Sequence, residues 1–356
     1  MSIDSKFYVH PSDRAALKAL KAIPGFQQLM KFFMSIWNEK LFKIENMSSN
    51  LRVNDSQMKK YYDMLPPICE KLGIEIPDLY IKMDVQPNAY TYGDTKPFIV
   101  LTSGLLERFP DDLVSTVIAH ECGHIACHHT LYSTMGRILL NGAVQASSGL
   151  GAAALISESL SIAFYYWMRC SEFSADRAAI ICDGSANDLT RMCMHFSGYD
   201  PRFNEEANLE EFVKQAEDYK ALTTDSKLNK VLEFYMYKSI DHPLNSVRAF
   251  EARKWAEGDD AKKIFEYIEN GSEDILDSFV LPVPDSAKKL CGQDKEEVKA
   301  QFIEAGFTNI NEVEENSRDK LKRRGTVLEV SVNGNSSFAD TDWFPANSPV
   351  NIHYKA

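Results

Sequence analysis

The stretch that most constrains this chain is His120-Glu121-Cys122-Gly123-His124, set behind the apolar residues Leu113, Val117 and Ile118. On a helix, positions i and i+4 share a face, so both imidazoles can reach one ion. Glu121 is rotated from them by about 100 degrees of helical turn. That rotation sets its carboxylate beside the ion rather than on it, where it can take a proton from a bound water. Asp111 or Asp112, following Pro110, caps the start of this helix.

A second helix is predicted from about Leu155 to Cys182, and it repeats the i, i+4 spacing with Glu172 and Asp176. A zinc site of the catalytic type takes three protein ligands and a water. His120, His124 and Glu172 supply the three. Asp176, one turn on, is placed to bond the far nitrogen of a liganding histidine and hold its tautomer. Two acids and Arg169 in an otherwise apolar helix are costly unless paired or bound to metal. His128 continues the i+4 series from His124. As a fourth ligand it would close the site to water, so it is read as a residue behind the ligands. His10, His129, His195 and His353 fit no such pattern and read as surface or core histidines.

Composition is that of an ordinary globular protein, 44% hydrophobic and 25% charged. A formal net charge of -12 reads first as plain solubility, and it argues against nucleic acid or an anionic membrane surface as the main partner. The seven cysteines are odd in number, scattered and without a C-x-x-C pair. They form neither a disulfide framework nor a cysteine zinc site, and they point to a reducing, cytoplasmic setting. The start of the chain lacks the basic-then-apolar pattern of a signal peptide. The uncharged stretch from Ile138 to Ser157 has the length of a membrane span, but its polar residues and glycines favour a buried helical hairpin. Membrane association is the disfavoured alternative.

The fold class expected is α+β: a mainly helical domain with a small edge sheet, then a small α+β domain. Residues 1–75 read as helical, with Leu17, Leu20, Leu29, Phe32, Phe33, Ile36 and Trp37 as faces that pack on the next region. Residues 76–257 hold the metal motifs. Short strands are expected at Tyr80–Met83 and Phe98–Leu101, joined through Asn88–Gly93. Residues 205–240 read as helical, and His242-Pro243 opens a helix through Arg248 to Trp255. Pro282, Pro284 and acidic residues mark 258–285 as a linker. Residues 286–356 read as a separate domain, with a helix presenting Val298, Phe302 and Ile303 and strands at Leu328–Val332 and Val350–Tyr354.

Asn88-Ala89-Tyr90, the Phe98–Leu106 strand and turn, the Val117–His124 helix, Ser171-Glu172-Phe173-Ser174-Ala175-Asp176-Arg177 and His242-Pro243-Leu244 before Arg248 follow in that order along about 85–255. In this the chain resembles the zinc metallopeptidase family of HtpX and the CAAX prenyl endopeptidases, in a soluble branch. The resemblance implies a gluzincin fold and Zn2+ at His120, His124 and Glu172, with Glu121 as general base. It implies a peptide or unfolded-protein substrate that adds as a strand beside Asn88 and Ala89. It also implies His242 near the reacting carbonyl and Arg248 paired with an acid behind the metal. On the proline preference alone, His242 merely opens a helix. Residues 286–356 resemble a PASTA-like module, read as an accessory domain without an assigned ligand. A zinc-containing, chaperone-like binder that works through this module is the competing function.

Overall fold

Pro110 precedes helix α7 as its N-cap, and Asp111 and Asp112 occupy the first turn, where carboxylates complement the helix dipole. In the computed structural model this and the other elements are described for residues 1–140, 157–203, 206–225, 229, 244–315 and 323–356. The amino-terminal region is built from α1 (Pro11–Ala22), α2 (Phe26–Ile36), α3 (Glu39–Ser49), the strand β1 (Leu51–Val53), α4 (Lys59–Tyr62) and α5 (Leu65–Leu72). The metal-motif region follows with β2 (Asp78–Lys82), β3 (Ala89–Tyr92), β4 (Phe98–Thr102), α6 (Ser103–Arg108), α7 (Asp111–Ala126) and α8 (Thr130–Leu140). It continues with α9 (Glu158–Asp183), α10 (Asn187–Phe196), α11 (Leu209–Thr224) and α12 (Asn245–Ala256). The expected helical run 205–240 is therefore described as α11. The rest of that run, His242, Pro243 and most of the 138–157 stretch lie outside the described residues. No described helix is long and apolar enough to cross a membrane.

Helix α9 starts on Ser157, whose hydroxyl accepts from the Leu160 amide, and stops at Gly184 in the left-handed region. Its contact with α7 is close. A Cβ on Gly123 would fall 2.6 Å from the Ala178 Cβ and 3.0 Å from Ala175 backbone. Only glycine lets the two helices approach this closely. Leu20, Leu29 and Phe33 of the amino-terminal helices are buried with Phe164 and Trp167 of α9 in one apolar cluster, the packing expected of them.

The sheet runs β1-β2-β4-β3, with β2 and β4 parallel and both outer pairs antiparallel. Asn88–Gly93 is thus more than a connection, because it contains β3, the edge strand. Pleating puts Ala89 and Thr91 on a buried face, with Tyr90 and Tyr92 half-buried on the other.

Two compact units divide the chain: Ser2–Ala261, and Lys262–Ala356 with Met1. The stretch 258–285, expected as a linker, carries α13 (Asp259–Asn270), α14 (Glu273–Asp277) and β5 (Val280–Pro282). Ala261 and Ile264, one turn apart, are fully buried, which is how a helix forms behind an acidic start. The second unit holds α15 (Ala287–Leu290), α16 (Lys295–Ala305), β6 (Ile310–Glu315), β7 (Val327–Val332), β8 (Trp343–Pro345) and β9 (Val350–Lys355). Its three-stranded sheet has the order β6-β9-β7, and β5 pairs with β8. Val298 and Phe302 are buried as expected, but Ile303 is 54% exposed. It lies five positions from Val298, off the face that Val298 and Phe302 share.

Candidate metal centre

Helix α7 carries His120, Glu121 and His124, and α9 carries Glu172 and Asp176. All but His124 are buried. His120 Nε2 lies 3.4 Å from Glu172 Oε2, and His124 Nε2 lies 3.3 Å from Glu172 Oε1. Bonds of about 2.05 Å in a tetrahedron give ligand–ligand edges of about 3.3 Å. The separations therefore fit an ion of the zinc type, and the N,N,O donor set suits it. Charge agrees as well. Glu121, Glu172 and Asp176 bring three carboxylates, Arg248 brings one cation, and a divalent ion would balance the remainder.

Behind His120, Asp176 Oδ1 lies 3.0 Å from Nδ1. Arg248 Nε donates to Asp176 Oδ2 at 2.9 Å and Nη2 donates to Oδ1 at 2.5 Å. Its Nη1 is 3.4 Å from Glu172 Oε2. Arg248 Nη2 also stands 3.3 Å from His120 Nδ1. A guanidinium only donates, and the carboxylate is closer, so we assign the Nδ1 proton to the bond with Asp176. Burial raises the Asp176 carboxyl, but Arg248 and His120 outweigh it and hold it below its ordinary range. Burial lowers the His120 imidazole, but Asp176 and Glu172 lift it to about 9. An ion entering this site must displace that proton. His124 is lowered, burial being the larger effect and Glu172 opposing it.

Thr91 Oγ1 donates to Glu121 Oε2 at 2.5 Å. Thr91 was not singled out in the sequence. It belongs to β3, so the edge strand and the candidate base are joined by a side-chain bond. Thr91, Glu121, His124, Arg137 and Glu172 line a small pocket at the ligand set. A cleft of about 440 Å³ lies along β3, and Asn88, Ala89, Tyr90, Tyr92 and Arg137 help to line it.

The profile of peptidase family M48 matches residues 63–256. The chain belongs to peptidase family M48. Among its M48 relatives is the plastoglobule-localized metallopeptidase 48, chloroplastic, of Arabidopsis thaliana, 29% identical over 71% of this chain and 73% of the relative. A protease HtpX homolog of Ralstonia nicotianae is 23% identical over 45% of this chain and 63% of its own length. Protease HtpX of Pseudomonas paraeruginosa is 32% identical over 30% of this chain and 36% of its own length. His120, His124 and Glu172 together could hold a metal ion.

One expected residue falls elsewhere. His128 is exposed and has a φ of 56°. Helix α7 ends at Ala126, so the i+4 series from His124 is broken before it reaches His128. The turn instead buries His129, whose Nδ1 is 3.0 Å from His124 Nδ1. Its Nε2 is 2.8 Å from Asp13 Oδ2 of α1. Neither His129 nor Asp13 showed a pattern in the sequence. The indole of Trp167, an N–H donor in an apolar helix face, was the one available signal that an acceptor had to be near.

Proposed function

We propose that the chain is a zinc-dependent endopeptidase, with Zn2+ on His120, His124 and Glu172 and with Glu121 as general base. The observation that carries this reading is the spacing of two imidazole nitrogens at 3.3 and 3.4 Å from one carboxylate, with a second carboxylate beside them. A divalent ion held there supplies Lewis acidity and lowers the pKa of water. Glu121 takes the proton of the attacking water and delivers it to the leaving amine as the peptide bond breaks. Thr91 holds the Glu121 carboxylate in place. Asp176 keeps His120 with Nδ1 protonated, and Arg248 holds Asp176 and Glu172 in register. His242, outside the described residues, is the candidate donor to the developing oxyanion.

An extended peptide or unfolded protein is the proposed substrate. It adds to β3 beside Asn88 and Ala89, so that backbone bonds align it and the neighbouring cleft receives its side chains. The unpaired cysteines support a reducing compartment such as the cytoplasm. Residues 286–356 are proposed as a PASTA-like accessory domain with no ligand assigned.

Metal analysis of His124→Ala and Glu172→Ala tests the ligand set. Each variant should hold well under one zinc per chain and lose hydrolysis of unfolded protein. Retention of one full equivalent in either variant would show that the ligand set is wrong.

A further inference from the structure

Asp13 is a buried carboxylate whose three side-chain neighbours are all placed to donate to it. Trp167 Nε1 donates to Oδ1 at 2.9 Å, Ser174 Oγ donates to Oδ2 at 2.6 Å, and His129 Nε2 lies 2.8 Å from Oδ2. Ser174 in turn accepts from the His10 amide at 3.0 Å, which leaves its hydroxyl proton for Asp13. Burial raises the Asp13 carboxyl, but His129, Ser174 and Trp167 together hold it below its ordinary range.

An ionised carboxylate only accepts, so His129 Nε2 must carry a proton. A His124 that ligates through Nε2 carries its proton on Nδ1, so His129 Nδ1, facing it at 3.0 Å, is bare and accepts. The consequence emerges on the far side of His124. Its Nε2 is left bare and faces Glu172 Oε1 at 3.3 Å, two acceptors that need a cation between them.

We propose that Asp13, acting through His129, is a positioning residue of the metal centre, fixing His124 in the tautomer that can ligate. Asp13 lies on α1, outside the residues 63–256 that match the family profile. The amino-terminal helix is thereby part of the metal site rather than a cover over it. The inference rests on His124 as a ligand, and the test separates the two claims.

Asp13→Asn presents one amide N–H₂ among three donors. Where that group meets His129 Nε2, the proton order reverses along the relay, and His124 Nε2 is protonated toward the ion. Zinc affinity of the full chain is measured by competition with a chromophoric chelator, beside the melting temperature with and without zinc. Asp13→Asn and His129→Ala should each bind zinc about 10–100-fold more weakly, the usual cost of losing a partner behind a liganding histidine. His129→Gln offers an N–H toward Asp13 and an oxygen toward His124, so it should recover affinity relative to His129→Ala. Trp167→Phe removes a different Asp13 partner and leaves the relay intact. It should lower the melting temperature while zinc affinity stays within about threefold of wild type, well inside the relay's range.

If Asp13→Asn does not fold, the His129 pair decides the matter. Wild-type affinity in His129→Ala overturns the proposal, as does equal loss in His129→Ala, His129→Gln and Trp167→Phe. Glu172→Ala is measured alongside. If it keeps its zinc, the ligand set itself is wrong. If it loses zinc while the relay variants do not, only the relay is wrong.

Discussion

Gly123→Ala isolates the contact that brings the two metal-bearing helices together. The new methyl group would lie 2.6 Å from the Ala178 Cβ and 3.0 Å from the Ala175 Cα and carbonyl oxygen. Ordinary carbon contacts lie at about 3.5–4.0 Å, so α7 and α9 must separate by about 1 Å. Neither neighbour is a flexible side chain that could swing aside. The ligand edges of 3.3 and 3.4 Å cross this same interface. Metal–ligand distances tolerate about 0.2 Å, so a shift of this size takes Glu172 out of reach of an ion held by the histidines. Overpacking of this kind costs about 1–3 kcal/mol. Replacing a helical glycine by alanine returns about 1 kcal/mol. The expected outcome is a net destabilisation of roughly 0–2 kcal/mol by thermal unfolding. Zinc affinity should fall by at least about tenfold in chelator competition. If the variant gained about 1 kcal/mol and kept full zinc affinity, helix propensity alone would explain it, and the close-approach argument would fail.

Three further outcomes follow from neighbouring residues. Thr91→Val removes the 2.5 Å bond to Glu121 but touches no ligand, so hydrolysis should slow by about tenfold at unchanged zinc content; an unchanged rate would remove Thr91 from the account. Arg248→Leu leaves Asp176 and Glu172 buried without their cation, which should cost about 3–5 kcal/mol of stability; a loss below about 1 kcal/mol in urea unfolding would contradict the buried pairing. Asp183, at the end of α9, is pushed up to about 6 by burial, against the bond from Thr116 and with Asp188 adding to the rise. An acid raised in the fold binds more protons folded than unfolded, so its penalty appears as pH climbs from about 4 through 6. Asp183→Asn should therefore stabilise the chain at pH 7 by about 1–3 kcal/mol, allowing for solvent at this half-buried group. That gain should vanish near pH 4, and a gain independent of pH would refute the assignment.

How far the site could be read ahead depended on whether its geometry was local. His120 with His124, and Glu172 with Asp176, are i, i+4 pairs, and one helical turn fixes their shared face. The strands β2 and β4 were legible for a similar reason, as short apolar runs between turn residues. His129 was illegible because α7 stops at Ala126, after which helical spacing no longer says where a side chain goes. Asp13 was illegible because its partners come from residues 116, 154 and 161 positions away. As an acid in the first turn of α1 it looks like any helix-start residue. Strand β1, of three residues, is too short to show alternation. Residues 258–285 misled through their acids and prolines, since the buried pair Ala261 and Ile264 is a faint mark of a helix.

The central claim is a metal-dependent peptidase in which Glu121 moves protons and does not hold the ion. Its most direct test is the rate of hydrolysis of an unfolded protein by Glu121→Gln, compared with wild type at equal measured zinc content. The amide keeps the size of the carboxylate and its bond from Thr91 but cannot serve as a base. Zinc should remain at one per chain while the rate falls by about 10²–10⁴-fold, the range of general-base catalysis. Wild-type hydrolysis by the zinc-loaded variant would contradict the account.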